Sequence, residues 1–184
     1  MLSLEDARKA AEEAKLVPQM AELSVFRTLL HRPTVAKAVN DLLVALLFRG
    51  TLDARLRELL IMRLGWATGS VYEWTQHWRV ATEMDVAEED LLAVRDWRAS
   101  DRFGPAERAV LAATDETLAD GAISDETWAA CLDHVGDPRQ LVELVAAIGN
   151  WRMISSVLRS LDVPLEEGVA PWPPDGRESE AAGG

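Results

Sequence analysis

Apolar residues recur at intervals of three and four along most of the chain. One such stripe runs from Val35 to Leu46, and another runs from Leu141 to Leu158. This spacing places each set of side chains on one face of an α-helix. No segment alternates apolar and polar residues over the length of a strand. The pattern therefore predicts an all-α fold.

Proline and glycine residues divide the helical pattern into about eight helices. The predicted breaks lie at Pro18, Pro33, Gly50, Gly69, Gly104-Pro105, Gly121 and Gly136. Ser124 and Asp137 each precede a helical pattern and are predicted N-caps, with Pro138 at the first helical position. Residues 1–165 are predicted to form a single helical-bundle domain. The acidic, Pro/Gly-rich residues 166–184 are predicted to be a mobile tail, although Trp172 within them could dock on the body or on another subunit.

Composition narrows the range of partners. The chain has 184 residues, 48% of them apolar, and a net charge of −12, which disfavours nucleic acid and anionic membranes. Five of the excess negative charges lie in residues 162–184. Cys131 is the single cysteine, the chain start has no apolar leader, and the strongly apolar run Leu42–Phe48 is too short to cross a bilayer. We expect a cytoplasmic protein with no membrane partner.

The strongest chemical signal lies in residues 58–77, ELLIMRLGWATGSVYEWTQH. The predicted helix 53–68 is apolar around most of its circumference and should be buried. Glu58 adjoins an apolar stripe of this helix, so we expect it to have little contact with water. Burial would raise the pKa of Glu58 unless a basic partner such as Arg55 or Arg63 offsets it. A plain ion pair with one of these arginines, or a subunit contact, is the alternative interpretation.

The next predicted helix carries Glu73 and His77, which lie four residues apart and so face the same way. A carboxylate held against an imidazole can make the ring an acid or a base near neutral pH. Ser70-x-x-Glu73 also has the form of a capping box, in which both side chains bond free amides at the helix start. Since Trp74 and Trp78 are neighbours, a purely structural histidine is a further alternative.

These residues form the pattern E-(x)11-S-x-x-E-x-x-x-H, which resembles the carboxymuconolactone decarboxylase family, including the alkylhydroperoxidase D-like proteins. In the peroxidase branch of that family, two redox cysteines stand at the positions of Ser70 and Glu73. Glu58 and His77 stand at the positions of its glutamate–histidine proton relay. The resemblance extends over roughly residues 25–160. It implies the alkylhydroperoxidase D-like fold and homo-oligomers, commonly trimers or hexamers.

Neither Ser70 nor Glu73 can supply the sulfur that thiol peroxidase chemistry needs. Cys131 lies alone, some sixty residues away. The resemblance therefore implies a protein without thiol peroxidase activity that keeps a proton-transfer set. In this set His77 is the predicted acid or base, Glu73 orients it, and Glu58 relays protons.

The decarboxylase branch of the family implies a substrate whose carbon must be protonated after CO2 leaves. An apolar pocket and a general acid would both help that step. The predicted substrate-binding residues are Ser70, Tyr72, Trp66, Trp74 and Arg63. Arg79 is a second candidate for holding a substrate carboxylate, and ordinary ion pairs are the alternative for both arginines.

The expected function is that of a cofactor-independent lyase or proton-transfer enzyme acting on a small carboxylated or cyclic organic acid. A metal held by Glu58, Glu73 and His77 is a weaker hypothesis, and no metal or other cofactor is expected. The alternative from another class is a catalytically silent ligand-binding or oligomeric assembly protein. An enzyme would need its three titratable groups to converge on an accessible cavity.

Overall fold

The computed structural model describes residues 1–183. All the regular secondary structure among them is helical, with no strand. Its nine α-helices are α1 (Leu4–Glu13), α2 (Ser24–Leu29), α3 (Pro33–Phe48), α4 (Ala54–Thr68), α5 (Val71–Glu83), α6 (Glu88–Ala93), α7 (Pro105–Asp120), α8 (Asp125–His134) and α9 (Pro138–Ser160). Short 3-10 helices cover Pro18–Glu22, Val94–Asp96 and Glu180–Gly183. The all-α prediction is confirmed. One break was not predicted, because Asp85 takes a left-handed conformation, with φ of 60°, where no glycine or proline marks the end of α5.

The helix boundaries follow local chemistry. Asp137 accepts hydrogen bonds from the backbone N–H of Arg139 and Gln140, so it caps α9 as predicted. Ser124 accepts one from the N–H of Thr127 and caps α8. Gly69 ends α4 with φ of 69°, a left-handed conformation that costs glycine little. That turn leads directly into α5.

The chain divides into two compact units. The first comprises residues 1–49 and 157–169 and contains α1, α2 and α3. Within it, the backbone N–H of Ser24 donates to Glu166 Oε1 at 2.9 Å, and the Arg27 guanidinium donates to the carbonyl oxygen of Leu2. These long-range bonds tie the start of the chain to α2 and α2 to the segment after α9.

The second unit comprises residues 50–156 together with the chain from Ala170 onward, and it contains all the predicted site residues. Helix α4 packs against α5, α7 and the 3-10 helix Val94–Asp96. Nine of its fifteen residues are buried, which confirms the prediction of a buried helix. Helices α4 and α5 approach closely at Gly65, where a Cβ atom would lie 3.1 Å from the backbone nitrogen of Trp74. This close approach brings their side chains together.

The C-terminal segment packs on the second unit, whereas its composition predicted a mobile tail. Trp172 is only 3% exposed and lies in a core cluster beside Trp66 and Trp74. The indole Nε1–H of Trp74 donates to the carbonyl oxygen of Pro173 at 2.8 Å. A large aromatic ring gains enough from burial to order a chain that lacks regular secondary structure. Of the alternatives for Trp172, docking on the body is the one observed.

Helix α9 is the longest described helix, with 23 residues. Among residues 1–183 it is the one helix long and apolar enough to cross a membrane, with a mean hydropathy of 1.3 over its best 18-residue window. Half of that window is buried inside the fold. The core helix of a globular protein has the same length and composition, so this pattern is weak evidence for a span.

Candidate functional site

Glu58 on α4 and His77 on α5 are bonded to each other. Glu58 Oε2 lies 2.7 Å from His77 Nδ1, and Glu58 is completely buried, as predicted. The Arg57 Nε–H donates to Glu58 Oε1 at 3.2 Å. Burial alone would raise the pKa of Glu58, but His77 and the Arg57 guanidinium outweigh burial and hold that pKa below its ordinary value. Glu58 is therefore an ionised carboxylate inside the core.

The predicted arginine partners of Glu58 were wrong. Arg55 pairs instead with Asp90 and Glu107, and Arg63 pairs with Asp115. Arg63, five residues further on, projects toward a different side of α4, whereas Arg55, one turn back, is held by its two acidic partners. The partner that reaches Glu58 is the adjacent Arg57.

Trp151 on α9 contacts the second ring nitrogen of His77. Its indole Nε1–H donates to His77 Nε2 at 3.1 Å. An indole nitrogen can only donate, so His77 Nε2 must be an acceptor and the ring proton must sit on Nδ1, where it points at Glu58. The side chain of His77 is 15% exposed. The contacts therefore fix one neutral tautomer with its basic lone pair on Nε2.

Glu73 does not orient His77, contrary to the prediction from their spacing. Its Oε2 is hydrogen-bonded to Ser155 Oγ on α9, and its Oε1 has no hydrogen-bond partner. The capping box is also absent, since the Ser70 side chain makes no cap hydrogen bond and its buried Oγ has no partner. The i, i+4 spacing allows a contact between Glu73 and His77, but Glu58 and Trp151 already engage both ring nitrogens.

Burial raises the pKa of Glu73 to about 8, and the hydroxyl of Ser155 offsets only part of that rise. No ion pair of Glu73 occurs among the described residues. Glu73 therefore carries its proton at neutral pH. Of the two buried glutamates, Glu58 on α4 is thus ionised and Glu73 on α5 is neutral.

The hydroxyl groups beside Glu73 carry no charge. The Thr68 Oγ1–H donates to the carbonyl oxygen of Leu64 at 2.8 Å, and Thr68 Oγ1 lies 2.9 Å from Ser155 Oγ. The Ser155 Oγ–H donates to Glu73 Oε2. These hydroxyls supply no positive charge to offset burial, so Glu73 remains a carboxylic acid at neutral pH.

Of the five predicted substrate-binding residues, two pack against each other, two more are buried, and one is bonded to polar partners. Trp66 and Trp74 pack against each other, with ring centroids 5.3 Å apart. Tyr72 and Ser70 are buried. Arg63 is already fully engaged, because it donates to both oxygens of Asp115 and to the carbonyl oxygens of Val94 and Arg95.

Those contacts make Arg63 a structural clamp and not a free carboxylate-binding group. Arg79 lies on the surface, 3.9 Å from Glu83, which is the ordinary ion pair named as its alternative. The metal hypothesis finds no support, since residues 1–183 contain no group of three or more histidine, cysteine or acidic side chains arranged to hold an ion.

Sequence reasoning missed three residues of the site, namely Arg57, Trp151 and Ser155. A signal for two of them was present, because Trp151 and Ser155 belong to the apolar stripe of α9 yet carry a hydrogen-bonding group. A polar group on a core-facing stripe needs a buried partner. The sequence did not indicate which partner each would find.

Comparison with known proteins agrees with this fold. Residues 33–116 match the carboxymuconolactone decarboxylase family. That segment is a little under half of the chain, and over it the resemblance seen in the sequence is confirmed. No curated protein matches the sequence significantly.

Solved structures share the fold at low sequence identity. An uncharacterized peroxidase-related protein from Ralstonia eutropha JMP134 with an alkylhydroperoxidase AhpD core is 18% identical, with a TM-score of 0.71 over 90% of this chain and 87% of the other. The debrominase Bmp8 in complex with 2,3,4-tribromopyrrole is 20% identical, with a TM-score of 0.67 over 89% and 86%. A peroxidase-related protein from Silicibacter sp. TM1040 is 12% identical, with a TM-score of 0.70 over 86% and 82%. The alkylhydroperoxidase D-like fold is therefore confirmed.

Proposed function

We propose that this protein is a cofactor-independent proton-transfer enzyme of the lyase type, acting on a small carboxylated or cyclic organic acid. The observation that carries the proposal is the contrast between Glu58, which is bonded to Arg57 and His77 as a carboxylate, and Glu73, which is buried beside a serine hydroxyl as a carboxylic acid. Environments that push the pKa values of two neighbouring carboxyl groups apart are typical of acid and base assignments in active sites. Glu73 and His77 lie one turn apart on α5, and Glu58 holds His77 in place.

In the proposed reaction, the bond between the substrate carbon and its carboxylate breaks, and CO2 leaves. The electron pair stays on the carbon, as a dienolate-like system. Glu73, protonated at neutral pH, donates its proton to that carbon and becomes a carboxylate. His77 takes up a proton from solvent on the Nε2 lone pair once Trp151 releases that nitrogen, and the imidazolium then passes this proton to the Glu73 carboxylate, which restores both groups. Glu58 stabilises the imidazolium formed in that step.

Thiol chemistry has little to support it. The positions that carry cysteines in the peroxidase branch hold Ser70 and Glu73. Cys131 is buried, its Sγ–H donates to the carbonyl oxygen of Ala109, and burial raises its thiol pKa to about 11. A thiol with that pKa is almost entirely protonated at neutral pH and is a poor nucleophile.

A second candidate is the catalytically silent ligand-binding or assembly protein. The observation that favours it is that Glu58 and Trp151 occupy both ring nitrogens of His77 inside the fold. The two candidates differ in whether Trp151 yields its place at Nε2 to a substrate. Turnover measurements separate them.

The test is a screen for CO2 release from carboxylated lactones and β-keto acids. With an active substrate, His77→Gln and Glu73→Gln should each lower kcat by about a hundredfold or more, the usual contribution of a positioned acid or base. Arg79→Gln is the matched control, because Arg79 lies on α5 but on the surface. Turnover that survives both substitutions would remove the two residues from the mechanism, and no turnover on any compound would favour the silent protein.

A further inference from the structure

Two tryptophans and an arginine form a recess on the second unit, named here the tryptophan recess: Trp66, Trp74 and Arg95. The Cζ atom of Arg95 lies 4.7 Å from the ring centroid of Trp66 and 4.9 Å from that of Trp74. The Arg95 side chain is 9% exposed. A guanidinium against two indole rings makes a cation–π site with one charged group at its edge.

The C-terminal segment 170–177, named here the strap, fills this recess with one aromatic ring and one carboxylate. The indole of Trp172 meets Trp66 edge-on, with ring centroids 5.9 Å apart, and lies 6.1 Å from Trp74. The carboxylate of Asp175 accepts from Arg95 Nη1 and Nη2 at 2.8 and 2.9 Å. Such a paired contact is the geometry with which arginine recognises a planar carboxylate.

The remaining polar groups of the recess also point at the strap. The Trp74 indole N–H donates to the carbonyl oxygen of Pro173, and Thr75 Oγ1 accepts from the backbone N–H of Trp172 at 3.2 Å. Aromatic walls with a few convergent polar groups are the usual composition of a small-molecule site. Here the chain itself supplies the atoms that a ligand would supply.

Three features indicate that the strap is an imperfect occupant. Trp172 has a left-handed backbone with φ of 53°, which is strained for a residue other than glycine. Arg95 Nε is buried and has no hydrogen-bond partner, so Asp175 satisfies only part of the guanidinium. The strap also has no helix or strand of its own between Ala170 and Arg177, and such segments open more readily than core helices.

We propose that the tryptophan recess is a binding site for a planar aromatic carboxylate, and that the strap occupies this site as an internal competitor. The ring of the ligand replaces Trp172 against Trp66 and Trp74, and its carboxylate replaces Asp175 on Arg95. The residues of this site do not include Glu58, Glu73 or His77, and the proposal does not depend on the proposed proton transfer. Its test is a binding measurement.

The test compares the full chain with an open variant, Trp172→Ala combined with Asp175→Asn, using indole-3-acetate as the probe in titration calorimetry. The open variant should bind the probe saturably and at least about tenfold more tightly than the unaltered chain, since the competitor is gone. Adding Arg95→Gln to the open variant should weaken indole-3-acetate by about tenfold or more and leave plain indole unchanged. Circular dichroism checks that each variant is folded.

A folded open variant that does not bind indole-3-acetate would overturn the proposal, as would equal affinity with and without Arg95→Gln. If the open variant does not fold, trypsin cleavage of the unaltered chain after Arg177 decides the matter. Indole-3-acetate should then speed cleavage by displacing the strap, whereas indole should have a smaller effect. A cleavage rate unaffected by indole-3-acetate would refute displacement.

Discussion

Glu58 and Glu73 are both buried, but Glu58 is ionised and Glu73 is neutral. Both are buried glutamates, on the neighbouring helices α4 and α5. Glu58 meets the Arg57 guanidinium and the ring N–H of His77 and stays ionised. Glu73 meets the hydroxyl of Ser155 and keeps its proton up to a pKa of about 8.

The comparison shows that burial does not set the charge of a carboxyl group by itself. Burial raises the pKa in both cases, and the donors around each group decide the result. A guanidinium and an imidazole N–H favour a carboxylate, whereas a hydroxyl that can also accept suits a carboxylic acid. Replacing either glutamate with glutamine tests this difference.

The largest expected effect is on the pH dependence of stability. Between pH 4.5 and about 8 the folded chain keeps the Glu73 proton that the unfolded chain releases. The folded state binds more protons in this window, so stability falls as pH rises, by about 1.4 kcal/mol per pH unit and on the order of 5 kcal/mol in all. The carboxyl groups with lowered pKa values, Glu58 and Asp115, titrate below this window.

Glu73→Gln should remove that slope, because an amide does not titrate. Urea unfolding at pH 5, 6, 7 and 8 measures it. The variant should match the unaltered chain near pH 5 and be more stable than it at pH 8. Parallel curves for the two proteins would show that Glu73 is ionised in the folded state, and the contrast with Glu58 would be lost.

The next effect is the loss of stability in Glu58→Gln, expected to be about 3–5 kcal/mol. An amide offers one acceptor, so either Arg57 or the His77 N–H then faces an NH2 group in the core, and the Arg57 guanidinium loses the negative charge beside it. Urea unfolding at pH 6 measures the cost. Glu73→Gln at the same pH is the matched control and should cost less than about 1 kcal/mol, because it replaces one neutral group with another. Equal costs would contradict the assigned charges.

The sequence could predict the helices and the core position of Glu58, because both follow from local rules. A 3.6-residue period and the capping residues Ser124 and Asp137 fix the boundaries of the long helices. An apolar circumference on α4 predicts that Glu58 is buried. The family motif added the pairing of Glu58 with His77.

The charge states of the site residues could not be assigned from local patterns. They depend on α9, which lies about eighty residues further along the chain. Trp151 and Ser155 reach His77 and Glu73 only in the folded unit. The strap escaped prediction for a related reason, since a composition rich in Pro, Gly and acid is typical of a mobile tail. One aromatic anchor, Trp172, overrides that composition.

The smallest effect distinguishes two serines that both precede a helix. Ser70→Ala should change the free energy of unfolding by no more than about 0.5 kcal/mol, because its buried Oγ makes no cap hydrogen bond. Ser124→Ala should cost about 1 kcal/mol, because Ser124 caps α8. Urea unfolding of the two variants side by side measures the difference. A cost at Ser70 as large as that at Ser124 would show that Ser70 supports the start of α5, or Glu73 itself.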